Sequence, residues 1–148
     1  MYKKILVPLD GSGLAEKAIP HATALANASG AEVTLVTVVQ LTLGVAGAKL
    51  EAMPEYVTER RAALTGEAMI YLHKIQQDLV AQGVVTKPVA LEGDVASEII
   101  NYAEKNDFDL IAMATHGRSG IKRFVMGSIA EKVIRSTIKP VLLIRALE

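Results

Sequence analysis

The chain has 148 residues, 51% of them hydrophobic and 22% charged, which is typical of a globular domain of ordinary composition. Lysine plus arginine and aspartate plus glutamate number 16 each, so the net charge offers no attraction to nucleic acid or to acidic membranes. The absence of cysteine excludes disulfides and thiolate metal sites, and the three histidines lie too far apart in the sequence for a metal-binding pattern.

The first element is a short apolar run from Ile5 to Pro8, which predicts a buried strand. This run reaches Pro8 and Asp10 too early for a signal peptide, and no run in the sequence approaches the length of a membrane span. We therefore expect a single cytoplasmic domain over residues 1–148, with no membrane association and no nucleic-acid partner.

The next elements alternate between the helical and the strand-like spacing of apolar residues. A helix is expected from about Gly13 to Ser29, with a kink at Pro20, and the β-branched segment from Val33 to Val39 predicts a second strand. Residues 41–54 contain two glycines and a proline without a clean period. They indicate a long loop.

The second half of the chain continues the same alternation, beginning with a long helix that ends at Gly83. Its apolar stripe consists of Leu64, Ala68, Leu72, Ile75 and Leu79. The elements expected after it are a strand from Val84 to Leu91, a helix from Val95 to Glu104 opened by Asp94, a strand from Leu110 to Ala114, a helix from Ser128 to about Ser136, and a strand from Val141 to Ile144.

Strands and helices in strict alternation predict a doubly wound α/β fold, in which helices cover both faces of a parallel sheet. Ligands of such folds bind beyond the carboxyl ends of the strands, where the strand order reverses. The loops to consider are therefore residues 8–13, 38–40 and 114–120.

Two common phosphate-binding motifs are absent. The P-loop pattern occurs nowhere in the sequence. In the dinucleotide fingerprint a third small residue follows the first two glycines, but here Gly11 and Gly13 are followed by Glu16, and Gln40 stands where the ribose-binding acid is expected. NAD binding is therefore not expected.

Residues 113–133 combine three glycines and four cationic side chains between a strand and a helix. The glycines let backbone N–H groups approach an anion closely, and a helix N-terminus offers free N–H groups to it. A purely structural role, with a serine N-cap and turn glycines, is equally open from these residues alone. The residues concerned are Gly117, Gly120, Arg118, Lys122, Arg123, and Ser128 with the N–H groups of Ile129 and Ala130.

Over essentially its whole length the chain resembles the ATP-binding kind of universal stress protein. The resemblance rests on KKILVPLDGS, VTLVTVV, DLIAMATHGRSG, GSIAEKVIRS and KPVLLIR. The family's motif, Gly-x-x-Gly, nine residues and Gly-Ser or Gly-Thr, matches Ala114 to Gly117, residues 118–126, and Gly127 with Ser128. Ala114 replaces the first glycine, and its methyl group narrows the approach to a phosphate.

The resemblance implies a five-stranded sheet in the order 3-2-1-4-5, of the adenine-nucleotide alpha-hydrolase-like type. It also implies ATP as ligand, with Mg²⁺ or Mn²⁺ bridging the phosphates, and a homodimer formed through the edge strand Val141 to Ile144. The adenosine contacts would fall on Pro8, Asp10 and Val38. The phosphate contacts would fall on Ala114, Thr115, His116, Gly117, Arg118, Ser119, Gly120, Gly127, Ser128, Ile129 and Ala130.

Simpler roles remain open for four residues. Asp10 would cap the first helix, Val38 would pack within its strand, and His116 would bond to loop backbone; Asp94 is expected to be an N-cap. For the whole protein, a nucleotide-dependent regulatory module in the stress response is the first hypothesis. The alternatives are a slow ATPase or phosphotransferase, and a protein that binds AMP or cyclic AMP. No catalytic residue and no metal-ligating side chain is assigned.

Overall fold

The computed structural model describes residues 1–41, 54–116 and 125–146. The strands are β1 (Lys4–Pro8), β2 (Glu32–Val39), β3 (Thr86–Glu92), β4 (Leu110–His116) and β5 (Val141–Ala146). The helices are α1 (Ala18–Ser29), preceded by a 3₁₀ turn (Ala15–Lys17), α2 (Pro54–Ala81), α3 (Val95–Lys105) and α4 (Val125–Ser136). No helix within these three ranges is both long enough and apolar enough to cross a membrane.

The five strands form one parallel sheet in the order β3-β2-β1-β4-β5. Right-handed crossovers place α1 and α2 on one face and α3 and α4 on the other, and α3 packs against α4. This confirms the doubly wound α/β fold. The strand order reverses between β1 and β4, so the carboxyl ends of these strands mark the expected ligand position.

The core is built around the two central strands. Ile5, Leu6 and Val7 of β1 are fully buried, as is Ile111 of β4. A strand with helices on both faces has no solvent-exposed side, which explains why these strands are continuous apolar runs and not alternating ones.

The first helix differs from the expectation at its N-terminus. It begins at Ala18, after the 3₁₀ turn, and not near Gly13. Pro20 therefore lies in the first helical turn, where backbone N–H groups have no intrahelical acceptor. The missing N–H of Pro20 therefore costs no hydrogen bond within α1. The C-terminal end at Gly30 is as expected, with a left-handed φ of 76°.

Two boundaries next to the predicted phosphate loop also differ. β4 continues through Thr115 to His116, because its pairing with β5 extends to Ala146. The last helix begins at Val125, three residues before Ser128. Glycine is a poor helix former and serine a good N-cap, so the sequence placed the boundary at Gly127. In the structure both residues belong to the first turn.

The expected loop over residues 41–54 lies almost entirely outside the described residues. The long helix begins at Pro54, and its expected stripe faces the core at Ala68, Leu72 and Leu79. The helix ends at Ala81, close to Gly83.

Candidate functional site

A cleft lies at the carboxyl ends of β1 and β2, beneath α3 and α4, with a volume of about 140 Å³. It occupies the position that the reversal of strand order predicts. Three sequence-predicted residues from the strands, Pro8, Asp10 and Val38, meet here with one from the last helix, Ile129. The other lining residues are Leu9, Val36, Gln40, Val95 and Ile99.

Strand periodicity supplies the floor of the cleft. Val36, Val38 and Gln40 are alternate residues of β2 and its end, so their side chains project from the same face of the sheet. Pro8 pairs with Val36 across the two strands, which continues the floor onto β1. The floor is therefore apolar at its centre and polar at the end of each strand.

Two helices supply the wall. Val95 and Ile99 lie one turn apart on α3, and Ile129 lies on α4. A polar contact joins the two helices: Asp94 Oδ2 accepts a bond from Lys132 Nζ at 3.1 Å. This exposed contact lies between the two helices beside the cleft.

Asp94 is the N-cap of α3, as the sequence predicted. Its Oδ2 accepts bonds from the Ser97 backbone N–H at 3.1 Å and from the Ser97 hydroxyl at 2.7 Å. These two bonds, and then Lys132, stabilise the carboxylate and lower the pKa of Asp94 to about 2. Asp94 does not line the cleft.

Asp10 forms a turn at the end of β1. Its Oδ1 accepts bonds from the backbone N–H of Ser12 at 2.9 Å and from the Ser12 hydroxyl. The Ala15 N–H donates to the Ser12 hydroxyl at 3.2 Å, so the capping contact expected of Asp10 belongs to Ser12. Gly11 completes the turn with a left-handed φ of 88°, which favours glycine. The exposed Asp10 keeps Oδ2 without a hydrogen-bond partner among the described residues.

The cleft is suited to a planar ring. An apolar cavity of about 150 Å³ binds benzene, which is close to the volume found here. Small-molecule sites combine apolar walls with a few polar groups that set orientation. The valines and isoleucines provide the walls, and Asp10 and Gln40 provide polar groups that remain exposed at the rim.

The carboxyl end of β4 lies close to the first turn of α4. A Cβ atom added to Gly127 would be 3.9 Å from Thr115 Oγ1. The first backbone N–H groups of a helix have no intrahelical acceptor, and Gly127 and the exposed Ser128 belong to this turn. A helix terminus of this kind, next to a strand end, can bind an anion.

The remaining sequence-predicted site residues are either buried, at the end of a strand or outside the described residues. Ala114 and Ala130 are buried, so their side chains belong to the core. Because α4 begins at Val125, the N–H groups of Ile129 and Ala130 have acceptors within the helix and are not the free groups expected from the sequence. His116 is the last residue of β4. Gly117, Arg118, Ser119 and Gly120 lie outside the described residues. The described ranges contain no group of three histidine, aspartate or glutamate side chains arranged to hold a metal ion.

Five lining residues were not predicted as site residues. Alternation along β2 would have identified Val36 and Gln40, because they flank Val38 at intervals of two. Leu9 follows Pro8 directly. No sequence pattern identifies Val95 and Ile99 as cleft residues, because only the packing of α3 over the sheet brings them to the carboxyl ends of β1 and β2.

Comparison with known proteins gives one consistent result. A family model described as the universal stress protein family matches residues 1–145. Universal stress protein MJ0577 of Methanocaldococcus jannaschii is 35% identical, over 98% of this chain and 96% of its own length. The solved structure of MJ0577 has a TM-score of 0.82 with 33% identity and covers 99% of this chain and 97% of its own.

Two further solved structures share the fold and contain nucleotides. A universal stress protein in complex with cAMP has a TM-score of 0.63 at 21% identity, over 97% of each chain. The universal stress protein of Archaeoglobus fulgidus in complex with dAMP has a TM-score of 0.61 at 19% identity, over 97% of this chain and 98% of its own. At these identities the likeness concerns the fold alone.

Proposed function

The chain belongs to the universal stress protein family, and from this membership we propose that it binds an adenine nucleotide, ATP foremost, in the cleft above β1 and β2. The observation that carries the proposal is the meeting of Pro8, Asp10, Val38 and Ile129 around one cleft at the switch point of the sheet. They come from three segments of the chain, the end of β1, the end of β2 and the start of α4, which meet where doubly wound folds bind ligands.

Different residues of the cleft would contact the base, the ribose and the phosphates of the nucleotide. The apolar side chains of Val38 and Ile129 would contact the faces of the adenine ring. The free carboxylate oxygen of Asp10 would accept bonds from ribose hydroxyls. The phosphates would extend toward the first turn of α4, where Gly127 permits close approach of the backbone.

ATP is proposed ahead of other adenine nucleotides because of the loop between β4 and α4. The motif that the family uses for ATP spans Ala114 to Ser128, with a glycine at position 117 and a Gly-Ser pair at positions 127 and 128. The complexes of related proteins with cAMP and dAMP support the adenosine part of the proposal. They leave AMP and cAMP as the alternative ligands.

A divalent cation, Mg²⁺ or Mn²⁺, is part of the proposal. Mg²⁺ commonly keeps several waters and is held by substrate phosphates with few protein ligands. The described ranges hold no cluster of three metal-ligating side chains, so the cation would be held by the phosphate oxygens and water. The cation neutralises phosphate charge, and the first turn of α4 supplies N–H and hydroxyl donors.

The biological role that we propose is a nucleotide-dependent regulatory module of the stress response, located in the cytoplasm as the cysteine-free sequence favours. Efficient phosphoryl transfer requires acidic metal ligands and a group that orients the nucleophile. Neither was assigned from the sequence. Hydrolysis is therefore expected to be far slower than the roughly 1–10³ s⁻¹ of ordinary enzymes, a rate that phosphate release from ATP would measure.

We also propose a homodimer formed through β5. Within the described residues only β4 pairs with β5, so its outer edge is open. Val141, Leu142, Leu143 and Ile144 are only half-buried, and the preceding Ile138 is 83% exposed. An open apolar edge is a surface that proteins cover. A second copy related by a two-fold axis would pair β5 with β5 in antiparallel fashion.

The experiment that tests the function begins with the purified protein. After denaturation, mass spectrometry should identify released ATP, and calorimetry on nucleotide-free protein should give tighter binding of Mg-ATP than of AMP or cAMP. GTP is the control that tests whether the site recognises the adenine base. If no adenine nucleotide is released and none binds at millimolar concentration, the proposal is wrong; preferential binding of cAMP would replace ATP by the alternative ligand.

A further inference from the structure

Tyr71 connects the long helix α2 to the loop that follows β1. Its hydroxyl donates a hydrogen bond to Glu16 Oε2 at 2.8 Å, between residues 55 positions apart in the sequence. The backbone N–H of Gly11 also interacts with this hydroxyl. The Tyr71 side chain therefore anchors the segment between Gly11 and Glu16 through its bond to Glu16.

The same segment is internally hydrogen-bonded. Asp10 Oδ1 accepts two bonds from Ser12, and the Ser12 hydroxyl accepts the Ala15 N–H. The Ser12 carbonyl accepts the Glu16 N–H at 3.4 Å. A continuous chain of contacts thus runs from the carboxylate of Asp10 through Ser12 and Glu16 to the hydroxyl of Tyr71. Fixing Tyr71 and Glu16 limits the positions that Asp10 can adopt.

Burial and nearby negative charge keep the Tyr71 hydroxyl protonated, so that it can donate a hydrogen bond. Partial burial raises the pKa of Tyr71 well above its ordinary value, and the bond to Glu16 and the negative charges of Glu16 and Asp10 raise it further. A tyrosine whose pKa is raised remains protonated throughout the physiological range. The Tyr71 hydroxyl therefore stays able to donate to Glu16 throughout that range.

We propose that Tyr71 is a positioning residue, whose hydroxyl holds the loop from Asp10 to Glu16 in the conformation that presents the Asp10 carboxylate to the ribose of the bound nucleotide. This inference rests on the proposed function. Tyr71 does not line the cleft, so it acts on the ligand only through Asp10. Its contribution is specific to the ribose hydroxyls and leaves the base and phosphate contacts unchanged.

The specificity of that effect gives the test. Calorimetry on the full chain compares ATP with 2′-deoxy-ATP and 3′-deoxy-ATP, for wild type and for Tyr71→Phe. The wild type should prefer ATP over the analogue that lacks the contacted hydroxyl by about tenfold, the value of one hydrogen bond to a charged group. In Tyr71→Phe the affinity for ATP should fall to that of the deoxy analogue, whose own affinity should not change.

Two further variants complete the design. Glu16→Ala removes the acceptor of the Tyr71 bond and should cause the same loss of ribose preference, which also covers the case that Tyr71→Phe does not fold. Tyr102→Phe is the matched control, because Tyr102 is a half-buried tyrosine on α3 whose ring packs against Phe108. It should retain the preference of the wild type.

The outcomes separate the two proposals. If wild type binds no adenine nucleotide, the proposed function fails and the inference fails with it. If wild type binds ATP and the ribose preference survives in Tyr71→Phe or Glu16→Ala, only the inference is wrong. A uniform weakening of all three nucleotides, accompanied by a lower melting temperature, would identify Tyr71 as a structural tether and also overturn it.

Discussion

At the scale of single residues, Gly127 is the position where the family motif and the geometry can be tested together. It lies in the first turn of α4, and among the described residues a Cβ atom there would lie within 4 Å of Thr115 Oγ1 alone, at 3.9 Å. A larger side chain therefore makes no close contact with the described residues, but in the proposed site it would occupy the space through which a phosphate approaches the backbone. Folding and binding are separable at this residue.

We expect Gly127→Val to weaken ATP binding at least about tenfold, which corresponds to about 1.4 kcal/mol, the scale of one lost hydrogen bond to a charged group. Calorimetry measures the affinity, and circular dichroism verifies the fold. Gly66→Val is the control, because Gly66 is an exposed residue of α2 with nothing near its Cβ position. Equal ATP affinity in Gly127→Val and wild type would mean that the phosphates do not lie at this turn. Gly117→Val, outside the described residues, should behave like Gly127→Val.

Asp94 gives a pH-dependent prediction. Its pKa falls from 3.8 to about 2 on folding, so the folded state favours the carboxylate. The stabilisation is complete above about pH 4 and is lost as the pH falls through about 2. Asp94→Ala should lower the melting temperature at pH 7 by about 2–4 °C, as expected for the loss of a helix cap in a chain of this size.

Thermal unfolding between pH 7 and pH 3 measures the Asp94 effect. The difference between wild type and Asp94→Ala should shrink toward the acid end of this range. Asp94→Asn is the control, because asparagine caps helices as well as aspartate does, and the exposed ion pair with Lys132 contributes little. An Asn variant as unstable as the Ala variant would assign the effect to the ion pair and contradict the capping interpretation.

At the scale of elements, the two edge strands of the sheet, β3 and β5, differ in how their outer edges are protected. Val33 pairs with Thr86 and donates to the Val85 carbonyl, so Pro88 of β3 faces away from β2 and its missing N–H leaves no gap in the ladder. The Thr86 carbonyl, on the same outer side, accepts a bond from Gln76. β3 is therefore a protected edge, and β5 carries no proline within its range.

The same register analysis selects the variant for the dimer. Ile111 pairs with Val141 and donates to the Pro140 carbonyl, so the N–H of Leu143 faces the outer edge. Leu143→Pro removes a donor from the proposed interface without removing a bond to β4. We expect wild type at twice the chain mass of 15.8 kDa, or a higher even multiple, and Leu143→Pro shifted toward the monomer.

Light scattering coupled to size exclusion measures the assembly. Ala90→Pro is the matched control, since its N–H faces the outer side of β3 in the same way; it should not alter the mass. A wild type that stays monomeric at high micromolar concentration would refute the β5 dimer, and dissociation by Ala90→Pro would place the interface at the other edge.

At the scale of the whole molecule, we expect the single domain proposed for residues 1–148 to unfold in one cooperative transition. ATP should raise the midpoint temperature of this transition. A ligand present at a hundred times its dissociation constant adds about 2.7 kcal/mol to the free energy of unfolding. For a chain of this size that corresponds to a rise in melting temperature of about 5–10 °C. Calorimetric scans with and without Mg-ATP measure both properties. Two separate transitions would contradict the single domain, and an unchanged midpoint would contradict binding to the folded state.

Local patterns in the sequence were sufficient for most of the architecture. The alternation of apolar runs with helix-period segments predicted the strands and helices of the described residues in order, because the period of the apolar residues reflects which face of an element is buried. The N-cap at Asp94 and the helix end at Gly30 were also predicted, since capping depends on residues within one turn of the helix end. The strand order came from the resemblance to a known family, and the expected position of the cleft followed from the doubly wound fold.

Only the tertiary structure decided how distant residues combine. β4 extends to His116 because it pairs with β5 as far as Ala146, a contact that no local pattern contains. Val95 and Ile99 reach the cleft because α3 packs over the sheet, and Tyr71 reaches Glu16 across 55 positions. Sequence patterns report the periodicity of burial within one element. The contacts between elements depend on how those elements pack in three dimensions, so they appear only in the folded molecule.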